Sequence, residues 1–173
     1  ASNDHVTVYD AVTRTKLLMA PQGLQGHYQA FASDVTAITP QGVVATVFQE
    51  SESTDVLLDI HRPPYRTTPL RIPLGKVKVR SLVTDPRGRF VAVVTGTNDD
   101  RPALYRVWEL SSGRQLAAIP SPVTMLPVVF SDDSRWLITL GRDGARWWPL
   151  EPSDVIAESE RRTVVLPERV GLP

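Results

Sequence analysis

VVFSDDSRWLITLGRDGARWWPL, Val128 to Leu150, decides the reading of this chain. A short apolar run meets a polar turn (Ser131 to Ser134). A second apolar run ends at Gly141, an Asp-Gly turn follows (Asp143, Gly144), and a third run closes on Trp147 and Trp148. Apolar runs of this length, bounded by Asp, Ser and Gly, predict three short strands joined by two tight turns.

The same pattern recurs upstream. The third-strand endings Tyr9-Asp10, Leu58-Asp59, Trp108-Glu109 and Trp148-Pro149 lie, by subtraction of their numbers, 49, 50 and 40 residues apart. A period of about 40 to 50 residues signals a repeat architecture. The segments between are rich in Val and Thr, which suits strands and not helices. The first unit, 1–20, offers only a back half: a turn at Asn3-Asp4, a strand His5 to Tyr9 and an outer strand Lys16 to Ala20. The second, 29–74, runs through Val35 to Pro40, Val43 to Gln49, Asp55 to Ile60 and Pro69 to Leu74. The third, 78–119, has strands Val79 to Thr84, Phe90 to Gly96, Leu104 to Leu110 and Gln115 to Ile119, with a type I turn at Asp85-Pro86-Arg87-Gly88. The last, 125–150, holds the opening stretch. Central strands that are apolar at nearly every position are expected to be covered on both faces.

These units resemble the WD-repeat unit of β-propellers, in which a Ser-Pro-Asp-Gly-like turn precedes the second strand and Trp-Asp ends the third. The resemblance implies an all-β fold: an incomplete WD-repeat-like β-propeller of about three and a half four-stranded blades over 1–150. Residues 151–173 are expected to form a short helix, Asp154 to Arg162 after an N-cap at Ser153, and then a closing outer strand, Thr163 to Leu166, with Pro167 suited to an edge. A closed propeller takes about 4 to 8 blades. Two copies would not solve the closure, because each brings the same outer half-blade. A preceding segment or a separate chain is expected to supply the missing strands. In the family, a loop His, a central-strand Ser or Thr, a turn Asp and the Trp form a buried set. Carried over here, that implies structural roles for Tyr9, His27, Asp59, Asp100, Trp108, Asp143 and Trp148, with His27 following Gly26 in the only Gly-His pair.

Composition narrows function by exclusion. The chain has 173 residues, 42% of them hydrophobic, and 19 Lys+Arg against 19 Asp+Glu. Its neutral balance gives no global field toward nucleic acid or an anionic membrane, and no apolar run reaches membrane-spanning length. With no cysteine, disulfides, thiolate metal sites and Cys catalysis drop out. Ala1 to Asp10 lacks the pattern of a signal peptide, so the cytoplasm is the expected compartment.

No cofactor and no metal site is expected. His5, His27 and His61 fall in different units without metal-ligand spacing. Asp99-Asp100 and Asp132-Asp133 sit in turns, where Asp serves local hydrogen bonds. A propeller hydrolase or lyase would need acids and histidines on the inner strands, and Val35 to Thr39, Val79 to Thr84 and Leu126 to Phe130 offer almost none. One bias remains: Arg62, Arg66, Arg71, Lys76, Lys78, Arg80, Arg87 and Arg89 face a single acid, Asp85. The turns carrying Arg62, Tyr65, Arg66 and Arg87 are expected on one face, as a basic rim able to hold a phosphate or a nucleic-acid backbone, while Asp99, Asp100, Arg101 and Arg142 belong to the opposite face. The reading favoured is a non-enzymatic module that binds a protein partner, a scaffold or sensor part of a larger bacterial signalling or defence protein. That expectation rests on resemblance; the end SDVIAESERR is similar to the ends of bacterial WD-repeat sensor proteins. Nucleic acid is the less favoured partner.

Overall fold

The computed structural model describes residues 5–21, 36–49, 55–96, 103–121, 127–141 and 144–151, and within them the protein is all-β. Four antiparallel sheets follow one another along the chain. The first pairs β1 (His5–Tyr9) with β2 (Lys16–Pro21). The second is β3 (Thr36–Ile38), β4 (Val44–Gln49), β5 (Val56–His61) and β6 (Leu70–Gly75), each strand beside the next. The third has the same order: β7 (Lys78–Thr84), β8 (Phe90–Gly96), β9 (Ala103–Glu109) and β10 (Gln115–Ser121). The fourth holds β11 (Val128–Phe130), β12 (Trp136–Gly141) and β13 (Gly144–Pro149). The helix expected over 154–162 and the strand over 163–166 lie outside the described residues, as do His27, Asp99, Asp100, Arg101, Arg142 and Asp143.

Period-two alternation explains the apolar central strands. Val91 and Val93 of β8 pack into a core shared with the second sheet, beside Val47, Leu58, Ile60 and Trp108. Their neighbours Phe90, Ala92 and Val94 point the other way, into a core with Phe130 and Leu137 of the fourth sheet. A strand buried on both faces can carry no solvent-side polar residues, so it reads as a continuous apolar run. Sheets therefore stack face to face in chain order: β3 touches β7, β7 touches β11, and β2 of the first sheet touches β4.

Register aligns the units. Thr39, Asp85 and Ser131 each donate a backbone N–H across a turn to the carbonyls of Val43, Phe90 and Trp136. One residue beyond those carbonyls, Val44 lies opposite His61, Val91 opposite Trp108, and Leu137 opposite Trp148. In the first sheet Asp10 donates to Thr15 as Glu109 does to Arg114, so Tyr9 holds the same place. The second unit's member of the set is thus His61, two residues past Asp59, as the pairing of Val44 with His61 shows. His61, Trp108 and Trp148 face the preceding sheet, whereas Tyr9, with no sheet in front of it among the described residues, is 60% exposed where Trp108 is buried.

Candidate functional site: the turn face and the outer face of the last sheet

Turns that follow first and third strands gather at one end of the stack. Their local chemistry is simple. Asp85 is fully buried and its carboxylate accepts the N–H groups of Phe90 (2.6 Å) and Arg87 (3.2 Å). In the last sheet Ser131 takes that role, its hydroxyl accepting from Trp136 N–H (3.0 Å) and donating to Asp133 (2.6 Å). That hydrogen bond, and the N–H of Arg135, hold the Asp133 carboxyl below its ordinary value. Asp132-Asp133 is a turn device, as its residue types suggest.

The rim arginines join sheet to sheet. Arg62 donates through Nη2 to the carbonyls of Leu110 and Ser111 (3.1 Å to Ser111), tying the second sheet to the β9–β10 turn of the third. One sheet further on, Arg89 repeats the arrangement: it donates to Glu151 (2.7 Å) and to the Ser134 carbonyl (2.9 Å), with its guanidinium over the Phe90 ring. Tyr65 turns back on its own sheet, its hydroxyl donating to the Gly42 carbonyl, and burial pushes the phenol above its ordinary value. Arg66 and Arg87 are exposed at this end. Arg71 and Arg80 belong to strands; Arg71 forks onto Asp59 (2.9 and 3.0 Å) and lies over Phe48. The basic band of the sequence is thus divided among separate tasks.

Between the β9–β10 turn and the end of β13 opens a groove of about 860 Å³, with Arg114, Glu109, Leu116, Ala117 and Leu150 among its walls. It holds cations, carboxylates and aliphatic surface, and among the described residues that line it no nucleophile stands beside a base. Among the described residues no three His, Asp or Glu side chains are grouped to hold a metal ion.

The outer face of the fourth sheet was not singled out from sequence. Its register counterparts in the third sheet, Val83, Phe90, Val94 and Val107, pack into the core with the next sheet. Here the corresponding Val129, Leu140 and Trp147 are 52%, 45% and 52% exposed, with Trp136 edge-on to Trp147 at 6.4 Å between ring centroids. Period-two alternation in WLITLG and GARWWP could have revealed it, had the inward set Leu137, Thr139 and Trp148 been subtracted first.

No family model matches the chain, and no curated protein is a match to its sequence. A solved structure is similar to it in fold. Hydrazine synthase of Kuenenia stuttgartiensis superposes with a TM-score of 0.58 at 12% identity, over 90% of this chain and 49% of that one. An uncharacterized protein of Listeria monocytogenes EGD-e matches 73% of this chain and 38% of its own, at 12% identity and a TM-score of 0.49. The chain spans about half or less of each solved chain's length. The class so defined is an all-β protein of consecutively packed antiparallel sheets. Among the described residues no helix is long and apolar enough to cross a membrane.

Proposed function

We propose that this chain is a non-enzymatic protein-interaction module, the scaffold or sensor part of a larger protein, built as a segment of a WD-repeat-like β-propeller whose remaining sheets come from another segment or chain. One observation carries the reading: Val129, Leu140 and Trp147 lie exposed at positions that the next sheet covers elsewhere in the stack. A contiguous apolar face of that kind is the mark of a surface that a partner covers. Sheets of matching order and register, and the Trp148–Thr139 hydrogen bond joining third to second strand, support the propeller assignment. The basic-rim alternative is weakened because Arg62 and Arg89 are committed to carbonyls and to Glu151.

Photo-crosslinking in cells tests the reading. A benzophenone amino acid at position 147 should capture a protein or another part of the same polypeptide, while one at Val12, in the exposed β1–β2 turn, should not. Equal labelling from both positions, or none from 147, would refute it.

A further inference from the structure

The two faces of the second sheet differ in kind. Ala45, Val47, Leu58 and Ile60 pack toward the third sheet, all of them apolar. Their alternates Val44, Thr46, Phe48, Asp59 and His61 are buried on the opposite face, which is turned to the first sheet. Three of these five are polar, and Thr46 Oγ1 and His61 Nε2 have no hydrogen-bond partner. Burial of polar groups that lack partners costs free energy, so this junction is the weaker of the two.

The sheet resting on it is slight. In its described part the first sheet is the pair β1 and β2, and two strands alone are marginal in water. Val6 pairs with Ala20 and Val8 with Leu18. Ala20 is fully buried and β2 touches β4, so these four side chains face the second sheet. Met19 and Tyr9 point away and are 55% and 60% exposed.

Charge balance at the junction depends on His61. Arg71 of β6 forks onto both oxygens of Asp59 of β5 (2.9 and 3.0 Å), and the pair is neutral. Those two are the charged groups beside the imidazole among the described residues. β4 turns Val44 and Thr46 to this face, and the first sheet brings Val6, Val8, Leu18 and Ala20, none of which titrates. A proton on His61 therefore gives the junction a net positive charge, with its one carboxylate already engaged. Burial holds the imidazole below its ordinary value of 6.5 against the pull of Asp59. Water can solvate the added charge once the sheets part.

We infer that the first sheet is a releasable element of the stack: uptake of a proton by His61 parts β1 and β2 from the second sheet while the second, third and fourth sheets stay packed.

Hydrogen exchange read as protection factors, which correct for the intrinsic pH dependence of amide exchange, tests this on the whole chain. Between about pH 7.5 and 5.5 the amides of β1 and β2 should lose roughly tenfold in protection, the limit that linkage sets for a histidine with an ordinary pKa in the open form. Amides of β8 and β9 should change less than about twofold. His61→Phe, or His61→Gln if the larger ring disturbs packing, should remove the loss in β1 and β2. An equal loss in all four sheets, no loss in the first, or a loss that persists without His61 would overturn the inference. The comparison between sheets needs only the unaltered protein, so it stands even if neither variant folds.

Discussion

Trp148 Nε1 donates to Thr139 Oγ1 across 3.0 Å, from the third strand of the last sheet to its second. In the second sheet the same two places hold His61 and Thr46, and there Nε2 and Oγ1 are both buried without a partner. An imidazole is shorter than an indole, so the bond that closes one sheet is left open in the other.

One substitution should therefore have opposite signs at the two sites. Thr139→Val strands the indole N–H and should cost about 1–2 kcal/mol. Thr46→Val removes a hydroxyl that has no partner and should stabilise by about 1 kcal/mol. Urea unfolding of the two variants checks the pair.

Asp59 and Arg71 form a fork in which one partner is 1% and the other 47% exposed. Removing the exposed partner is the worse change. Arg71→Ala leaves a buried carboxylate uncompensated and takes the guanidinium from the Phe48 ring, a loss of about 3 kcal/mol. Asp59→Asn keeps the shape and leaves Arg71 free to reach water, so its cost should be nearer 1 kcal/mol. Equal losses in chemical denaturation would show that the fork is not held by burial of the carboxylate.

His61 sets a pH dependence. Burial lowers its pKa from 6.5; the Asp59 carboxylate opposes the shift, and the Arg71 charge adds a smaller push in the same direction as burial. The unfolded chain then binds the proton more readily than the folded one. Stability is fully present above pH 6.5, and falls as pH drops from there through the folded-state value. His61→Phe should flatten the thermal-stability profile over this window. The carboxyls of Asp10 and Asp133, lowered from 3.8 chiefly by hydrogen bonds from Thr13 and Ser131, act only at more acid pH.

Gly113 has a φ of 72°, and a Cβ there would come within 2.6 Å of the Leu70 side chain. Gly113→Ala should cost about 1–2 kcal/mol, from the left-handed backbone and the displaced leucine together. Gly75, at φ 78° with nothing nearby, isolates the backbone part, and Gly75→Ala should cost about 1 kcal/mol. Thermal unfolding of the two variants separates the contributions.

Trp147→Glu places a charge on the outer face without touching the inward core. It should leave Tm within about 2 °C while abolishing any concentration-dependent association in sedimentation velocity. A large fall in Tm would show that the face is already packed.

Strand positions were legible because alternation and turn residues are local. Val91 and Val93 differ from Phe90 and Ala92 only in which core they enter, and a run apolar on both faces already announces two covers. Asp85 and Ser131 could likewise be placed in turns from residue type, since their partners lie within five residues. The second unit was harder. There the strand pairing puts the equivalent of Trp108 at His61 and not at the Leu58-Asp59 pair, and a histidine in a tryptophan's place gives no sequence signal.

By itself the sequence determined the all-β class, the order of the strands and the turns that join them, since each is written in contacts between near neighbours. Only the tertiary structure decided what the charges do. Arg62 looks like a ligand-binding cation and spends its donors on carbonyls 48 and 49 residues away; Arg89 does the same at Ser134, 45 residues on. It also decided which apolar residues are core and which are left bare at the last sheet. Both outcomes depend on which face another sheet covers, a relation between distant segments that no local pattern encodes.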